Sequence, residues 1–420
     1  MNHAPSLDDR FAAAMGQLLG PDFPSEIGLA VSGGGDSMAM LSLAHNWTRA
    51  WGVGLRVVTV DHGLRPGSAD EARLVAEECR VLGWPHDVLT WKGWDGQGNL
   101  QDAARRARLS LIDAWRGGMR DVLFAHTADD QAETILMRLR RGSGVEGLSG
   151  MAMVRQASDM RILRPLLNER RETLRFHLRV LRMPFADDPS NDDDRFERVR
   201  LRKLLAALDE EGLGVEALTR TAARMQRARA ALRARAAEVA SRIATEEWGQ
   251  VVIARDGFAD IERDTQMRLL AAALQFVAGS EYRPRAEALE ALLDSCLGGR
   301  GGTLGGALLR IDGAALRIQR EPARLESLAT RVGDGALWDG RWHVESLDLQ
   351  GFEVRALGSL GWSQVPDKPE HGPRFHDALT LPAIFDEGRL VACAALSFGP
   401  AHVCRAIAPA HSFAAFISAH

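Results

Sequence analysis

The sequence predicts an α/β fold: a parallel sheet with helices on both faces, followed by a mainly helical region and a small mixed one. Three observations carry this. Short β-rich apolar runs at 27–33, 55–62, 86–91 and 121–127 alternate with longer helix-period stretches at 36–51, 67–83 and 99–116. Alternation at that spacing builds parallel sheets. The first run, "IGLAVSG", opens straight into "GGDSMAML", and strand, glycine turn and helix in that order form a ligand crevice in doubly wound sheets. Beyond residue 210 the chain changes to long alanine- and arginine-rich helical stretches.

Each element follows in order. After the four runs, "RILRPLL" (161–167) reads as a further strand and "RRETLRFHLRVLR" (170–182) as a helix, closing a first domain at 1–210. Residues 214–247, 264–279 and 284–299 read as helices of a second region, 211–320. The glycine-rich "GGRGGTLGG" (298–306) then leads into "ALLRIDGAALRIQRE" (307–321), a hairpin built around Asp312-Gly313. Residues 321–420, rich in tryptophan, glycine and short strands, read as a small α/β domain. A chain of 420 residues exceeds one ordinary core.

Composition bounds the function. With 46% hydrophobic and 26% charged residues, and no apolar stretch near bilayer length, the chain reads as globular and non-membrane. The start "MNHAPSLDDRFAAAMGQLLG" lacks a basic opening followed by a long apolar block, so no signal peptide is expected. Cys79, Cys296, Cys393 and Cys404 lie far apart with no CxxC pair. That spacing argues against disulfide, zinc and iron–sulfur frameworks and suits a cytoplasmic protein. Net charge is −4, yet residues 219–242 hold seven arginines against one glutamate. A basic patch can sit on an acidic protein.

The glycine turn narrows the chemistry. No lysine follows it, so it is not a Walker A loop, and Met38 stands where a dinucleotide fingerprint needs glycine. The "GSGVEG" at 142–147 has the fingerprint spacing but follows a helical stretch, not a strand. The turn can still bind an anion through backbone N–H groups and the following helix dipole, with the hydroxyls of Ser32 and Ser37 as further donors. Asp36 repels phosphate. It fits if Mg²⁺ bridges it to phosphates, or if it caps the helix. A plain tight turn is the alternative reading.

Further along, Asp129, Asp130 and Glu133 lie three and four apart and can gather on one helix edge. Such a cluster suits a substrate ammonium and would repel ATP phosphates. Thr127-x-x-Asp130 equally fits a capping box, and the two readings are compatible. His126 stands at the strand end just before them, as a packed residue or as one that orients them.

"SGGGDS" (32–37) resembles the SGGxDS loop of the PP-loop ATP pyrophosphatases, Rossmann-like enzymes that cleave ATP between the α- and β-phosphates. Four further stretches follow in order: "VDHGLR" (60–65), "NLQDAARRARLSLI" (99–112), "AHTADDQAETILMRLRRGSGVEGLSGM" (125–151) and "RPLL" (164–167). With "DDPSNDDDRFERVRLR" (187–202), this series closely resembles the tRNA(Ile)-lysidine synthetase family across about residues 27–205. "LPAIFDEGRLVACAAL" (381–396) is weakly similar to the end of that family's C-terminal region.

The resemblance implies attachment of L-lysine to the wobble cytidine of tRNA(Ile) with a CAU anticodon, through an adenylated intermediate. It implies ATP as co-substrate, with Mg²⁺ beside it. ATP-binding residues would be Ser32, Gly33, Gly34, Gly35, Asp36, Ser37, His62 and Arg108; Arg105 pairs with Arg108 in the family pattern. Lysine binding would fall to Asp129, Asp130 and Glu133. Catalytic roles would fall to Asp36, Asp130 and Arg198, the last matching, with Arg202, the family's Arg-Asn-x-[Leu/Ile]-Arg segment. Val199 departs from that segment's asparagine. Arg220, Arg224 and Arg227 would hold tRNA phosphates, with a solvated helix face as the alternative.

The aspartate run "DDPSNDDD" reads as a solvated loop before a metal site. Two other functions stay open: a PP-loop tRNA thiolase, which usually needs paired cysteines, and a non-catalytic nucleotide- or RNA-binding relative. Assembly as a homodimer is open too.

Overall fold

The computed structural model describes residues 4–63, 67–94, 100–157, 159–187, 197–280, 282–407 and 412–419, without the side chains of Gln101 and Arg198. The chain divides into two compact units, Met1–Arg229 and Ala230–His420.

The first unit holds α1 (Leu7–Leu19), β1 (Glu26–Ala30), α2 (Gly35–Trp51), β2 (Gly54–Asp61), α3 (Ser68–Leu82), β3 (His86–Thr90) and α4 (Leu100–Trp115). It continues through β4 (Asp121–Phe124), α5 (Ala128–Arg140), α6 (Val145–Leu148), β5 (Val154–Ala157), β6 (Met160–Leu163), α7 (Arg171–Leu181) and α8 (Glu197–Glu210). The start of α9 (Val215–Ile243) completes it.

Six strands order as β3-β2-β1-β4-β6-β5. All neighbours run parallel except β5, which pairs antiparallel to β6 at the edge. Alternate strand side chains face opposite layers. Ile27, Leu29, Leu55, Val57 and Leu123 pack with helices α1, α2, α3 and α7 in one core. Val58, Val122, Phe124 and Ile162 pack with Ile112 and Leu109 of α4 in the other. This is the doubly wound sheet the strand–helix alternation requires.

The chain crosses from one side of β1 to the other between β3 and β4. The C-terminal ends of β1 and β4 therefore flank the switch point, where doubly wound folds bind ligands.

Five strands stop short of the apolar runs: β1, expected to 33, ends at Ala30 before the glycine turn, β2, expected to 62, ends at Asp61, and β3, expected to 91, ends at Thr90. Expected at 121–127, β4 stops at Phe124 because Thr127 turns away to cap α5. Expected at 161–167, β6 stops at Leu163, and Leu166 and Leu167 are buried in a turn. The edge strand β5 carries too little periodicity to be read from the sequence, whereas α1 has Phe11, Met15, Leu18 and Leu19 at helical spacing behind a Ser6–Asp9 capping box and lies outside the elements expected above.

In the second unit α9 ends at Ile243, not at 247. Residues Ala244–Glu247 form β7 and turn through Trp248 (φ 53°) and Gly249 (φ 71°) into β8 (Gln250–Ala254). Two left-handed central residues are what a tight hairpin asks for. Then come α10 (Arg255–Ala259), α11 (Arg263–Ala278), α12 (Ala286–Leu297), β9 (Gly302–Leu304), β10 (Ala307–Asp312) and β11 (Ala315–Arg320).

The sheet β7-β8-β11-β10-β9 is antiparallel, with α11 and α12 packed into its core. The β10–β11 hairpin turns through Gly313 (φ 58°) and Ala314, one residue past the expected Asp312-Gly313 pair, because Asp312 still pairs with Ala315 as the last residue of its strand. Residues 321–406 add a four-stranded sheet and a two-stranded ribbon. The break between units falls inside α9, beyond the boundary expected at 210, and residues 230–320 and 321–420 lie in one unit. Among the described residues no helix is long and apolar enough to cross a membrane.

Candidate active site

A cavity of about 1130 Å³ opens over the C-terminal ends of β1, β2 and β4. Its lining joins distant parts of the chain, among them Ser32–Ser37 without Gly33, Asp61 and His62, Arg108, His126, Asp129 and Asp130, Arg170, Arg171 and Arg175, and Arg202. The volume exceeds what a single drug-sized ligand takes.

The glycine turn forms one wall. Gly33 sits at φ 88°, a conformation glycine adopts freely, and a Cβ there would meet the Glu71 Cβ at 3.1 Å. It makes the turn instead of lining the cavity, and its carbonyl accepts the Ala186 N–H at 2.9 Å. Gly34 caps α2, so the helix opens at Gly35 with Asp36 in its first turn. First-turn N–H groups have no partner within a helix, and the dipole adds positive potential there. The Ser37 hydroxyl donates to the Gly34 carbonyl at 2.9 Å and accepts the Ser32 N–H at 3.2 Å. Both serines thus brace the turn as well as line the cavity.

The acidic helix start forms the opposite wall. Thr127 and Asp130 make a reciprocal capping box: the Thr127 N–H and hydroxyl both donate to Asp130 Oδ2 at 2.9 Å. The capping reading holds.

The unforeseen feature is Arg171, the first residue of α7. Its Nε donates to Asp36 Oδ2 at 2.9 Å, its Nη2 to Asp130 Oδ1 at 3.0 Å, and its Nη1 lies 3.5 Å from Glu133 Oε1. Its backbone N–H donates to Asp129 Oδ2 at 2.8 Å, so Asp129 caps α7 from a neighbouring helix. Arg170 Nε lies 3.6 Å from that same oxygen. Arg202 of α8 donates from Nε to Glu133 Oε1 at 2.7 Å.

Burial and charge act against each other here. Burial raises the Asp36 carboxyl above the usual range, with Arg171 pulling it down and Asp130 and Asp129 adding to the rise. Burial pushes Asp130 up too, but Arg171, the Thr127 N–H and His126 outweigh it and hold the carboxyl below the usual range. Burial would lower Arg171, yet Asp130, Asp36 and Glu133 hold its guanidinium firmly charged.

Other expected residues fall as follows. His62 lines the cavity against Trp91, with ring centroids 5.8 Å apart. Arg108 lines it with its guanidinium 5.6 Å over the Phe124 ring. His126 stacks on the other member of that pair, Phe124, and its Nδ1 accepts from Arg164 at 3.2 Å. Arg198 lies on α8, with its side chain outside the described residues. Val199 is buried, an apolar core position. Arg220, Arg224 and Arg227 are exposed on α9 and do not line the cavity.

Of the aspartate run, residues 188–194 lie outside the described residues, as do Leu64 and Arg65 of "VDHGLR". Cys79 is buried in the core with its thiol pushed up to about 12 by burial and Glu78, which leaves it no thiolate character for sulfur transfer. Among the described residues no group of three His, Cys, Asp or Glu is placed to hold a metal. Arg170 and Arg171 stand in the sequence as an ordinary basic helix start, and only their place after "RPLL" marks them.

A lysine-free glycine turn after β1, facing a second polar wall at the switch point, defines a nucleotide-binding α/β enzyme of the PP-loop type, and the PP-loop domain family matches residues 7–208. A tRNA(Ile)-lysidine synthase of Ruegeria pomeroyi is 41% identical over 371 residues, covering 88% of this chain and 88% of its own length. Those of Methylobacterium nodulans and Wolbachia pipientis are 41% and 32% identical, covering 75% and 82% of this chain and 96% and 82% of their own. The chain belongs to the tRNA(Ile)-lysidine synthase family.

Proposed function

We propose that this chain forms lysidine on tRNA(Ile) with ATP, in two steps within the cavity over β1 and β4. In the first, the C2 oxygen of the wobble cytosine attacks the α-phosphorus of ATP. The bond from that phosphorus to the bridging oxygen breaks, and pyrophosphate leaves into the turn at Ser32–Ser37. In the second, a carboxylate takes one proton from the ε-ammonium of L-lysine, the freed amine attacks C2, the C2–O bond breaks, AMP departs with the oxygen, and the new C2–N nitrogen gives up a second proton to water.

Asp129, Asp130 and Glu133 receive the incoming ammonium, and Arg198 on α8 serves the adenylation step. Asp36 Oδ1 is buried and takes no hydrogen bond among the described residues, which suits a Mg²⁺ shared with the ATP phosphates. Such an ion supplies charge neutralisation for the leaving pyrophosphate. Arg220, Arg224 and Arg227 hold tRNA phosphates from the exposed face of α9.

The observation that carries this reading is the convergence of Asp36 and Asp130, both lining the cavity beside the glycine turn, on Arg171, with Glu133 buried behind them. The test is mass spectrometry of the wobble nucleoside after incubating the CAU tRNA with ATP and lysine. Lysidine is the expected product; unmodified or thiolated cytidine would overturn the reading.

A further inference from the structure

Two of the three carboxylates proposed for lysine, Asp130 and Glu133, are already engaged by a cation of the protein itself. One guanidinium, that of Arg171, reaches Asp36 at 2.9 Å, Asp130 at 3.0 Å and Glu133 at 3.5 Å. An ammonium entering beside Asp130 and Glu133 meets that same guanidinium. We propose that Arg171 stands in for the substrate ammonium between turnovers and hands over part of its carboxylate set when lysine enters.

Charge argues for a stand-in. Four carboxylates, Asp36, Asp129, Asp130 and Glu133, face three guanidiniums, Arg170, Arg171 and Arg202. Without Arg171 the empty cluster would hold four buried or half-buried negative charges against two positive ones, an arrangement of high cost. With it, one negative charge stays unmatched, which leaves room for one further cation.

The acceptor inventory agrees. Asp36 Oδ1 and Glu133 Oε2 are buried and take no hydrogen bond among the described residues, although buried acceptors are normally satisfied. The Asp36 oxygen suits the Mg²⁺ proposed above, and the Glu133 oxygen is left for an ammonium, which reaches it only beside or in place of the guanidinium.

The backbone lets the side chain move. The Arg171 N–H is pinned to Asp129 at the first residue of α7, so the long side chain can rotate away while the helix stays fixed. Arg171 also lines the cavity, with 20% of its side chain exposed. Arg171 is therefore a specificity-setting group: lysine binds by exchange with it, and its pairing lowers the apparent lysine affinity.

This inference rests on the lysine-site reading. The test compares lysidine formation by the full chain and by Arg171→Ala and Arg171→Lys. Arg171→Ala should lower the KM for lysine by about tenfold while also lowering kcat, and Arg171→Lys should stay near the parent KM. Guanidinium chloride, added at millimolar levels to Arg171→Ala, should compete with lysine and restore the higher KM.

An unchanged or raised lysine KM in Arg171→Ala, with the parent enzyme making lysidine, overturns the exchange and leaves the functional reading intact. A parent enzyme that makes no lysidine overturns both. Should Arg171→Ala not fold, ¹⁵N spectroscopy of the parent protein decides. The Arg171 Nε–H signal, assigned with Arg171→Lys, should lose exchange protection on adding lysine, and a signal unmoved by saturating lysine contradicts the proposal.

Discussion

Arg202 on α8 and Glu133 on α5 meet at 2.7 Å, a bond between elements 69 residues apart that ties the helix after the aspartate run to the acidic wall of the cavity. Glu133 is 1% exposed, and Arg202 and Arg171 face it. Breaking one side of a buried pair leaves the other uncompensated.

Glu133→Gln keeps the shape and removes the charge. Urea unfolding should show a loss of about 3 kcal/mol. The lysine KM should rise at least about tenfold, the scale of one lost hydrogen bond to a charged group, with the ATP KM little changed.

The turn predicts a different pattern. Gly33→Ala places a methyl at φ 88° against Glu71. Unfolding should show a cost of about 1–3 kcal/mol. Pyrophosphate release should need more ATP, while the lysine KM stays put.

Arg220, Arg224 and Arg227 are exposed on one stretch of α9. Replacing all three with glutamine should weaken tRNA binding and flatten its salt dependence. The slope of log K against log salt should fall by about 0.7–0.9 for each tRNA phosphate that is no longer neutralised. Retention of the full slope would reduce these arginines to a solvated face.

Acid should weaken the first unit through its histidines. Trp84 Nε1 donates to His45 Nδ1 at 3.0 Å, His86 Nε2 meets the Thr59 hydroxyl at 2.8 Å, and His177 Nε2 meets the Ser42 hydroxyl at 3.2 Å. Burial lowers all three imidazoles below their usual value of 6.5, with Arg49 adding at His45, and Asp87 and Asp8 opposing at His86 and His177. The unfolded chain therefore binds more protons between the folded values and 6.5, so stability rises with pH across that window. Melting temperatures should fall from pH 7.5 to pH 5.5, and the fall should shrink in a His86→Gln, His177→Gln variant.

The fold is legible where order is local. Strand, glycine turn and helix follow one another within Gly28–Leu41, and the capping box needs only Thr127 to Asp130. Hydrophobic period places the doubly wound sheet for the same reason. The short β5 and the Trp248-Gly249 hairpin escape a reading of the sequence because four-residue strands with mixed side chains carry no clear period.

The site is half legible. Its acids stand close in sequence, but the guanidinium that joins them does not. Arg171 lies 135 residues from Asp36 and 41 from Asp130, and only folding brings such a set together. Arg202, 69 residues from Glu133, is hidden the same way.

The most direct test is a crystal structure with an ATP analogue that cannot be cleaved between its α- and β-phosphates. The β- and γ-phosphates should lie against the main chain of Gly34 to Ser37, with the α-phosphorus facing the side of the cavity that holds Asp130 and Arg171. A triphosphate bound anywhere else, or reversed so that the α-phosphorus points into the turn, would contradict the account.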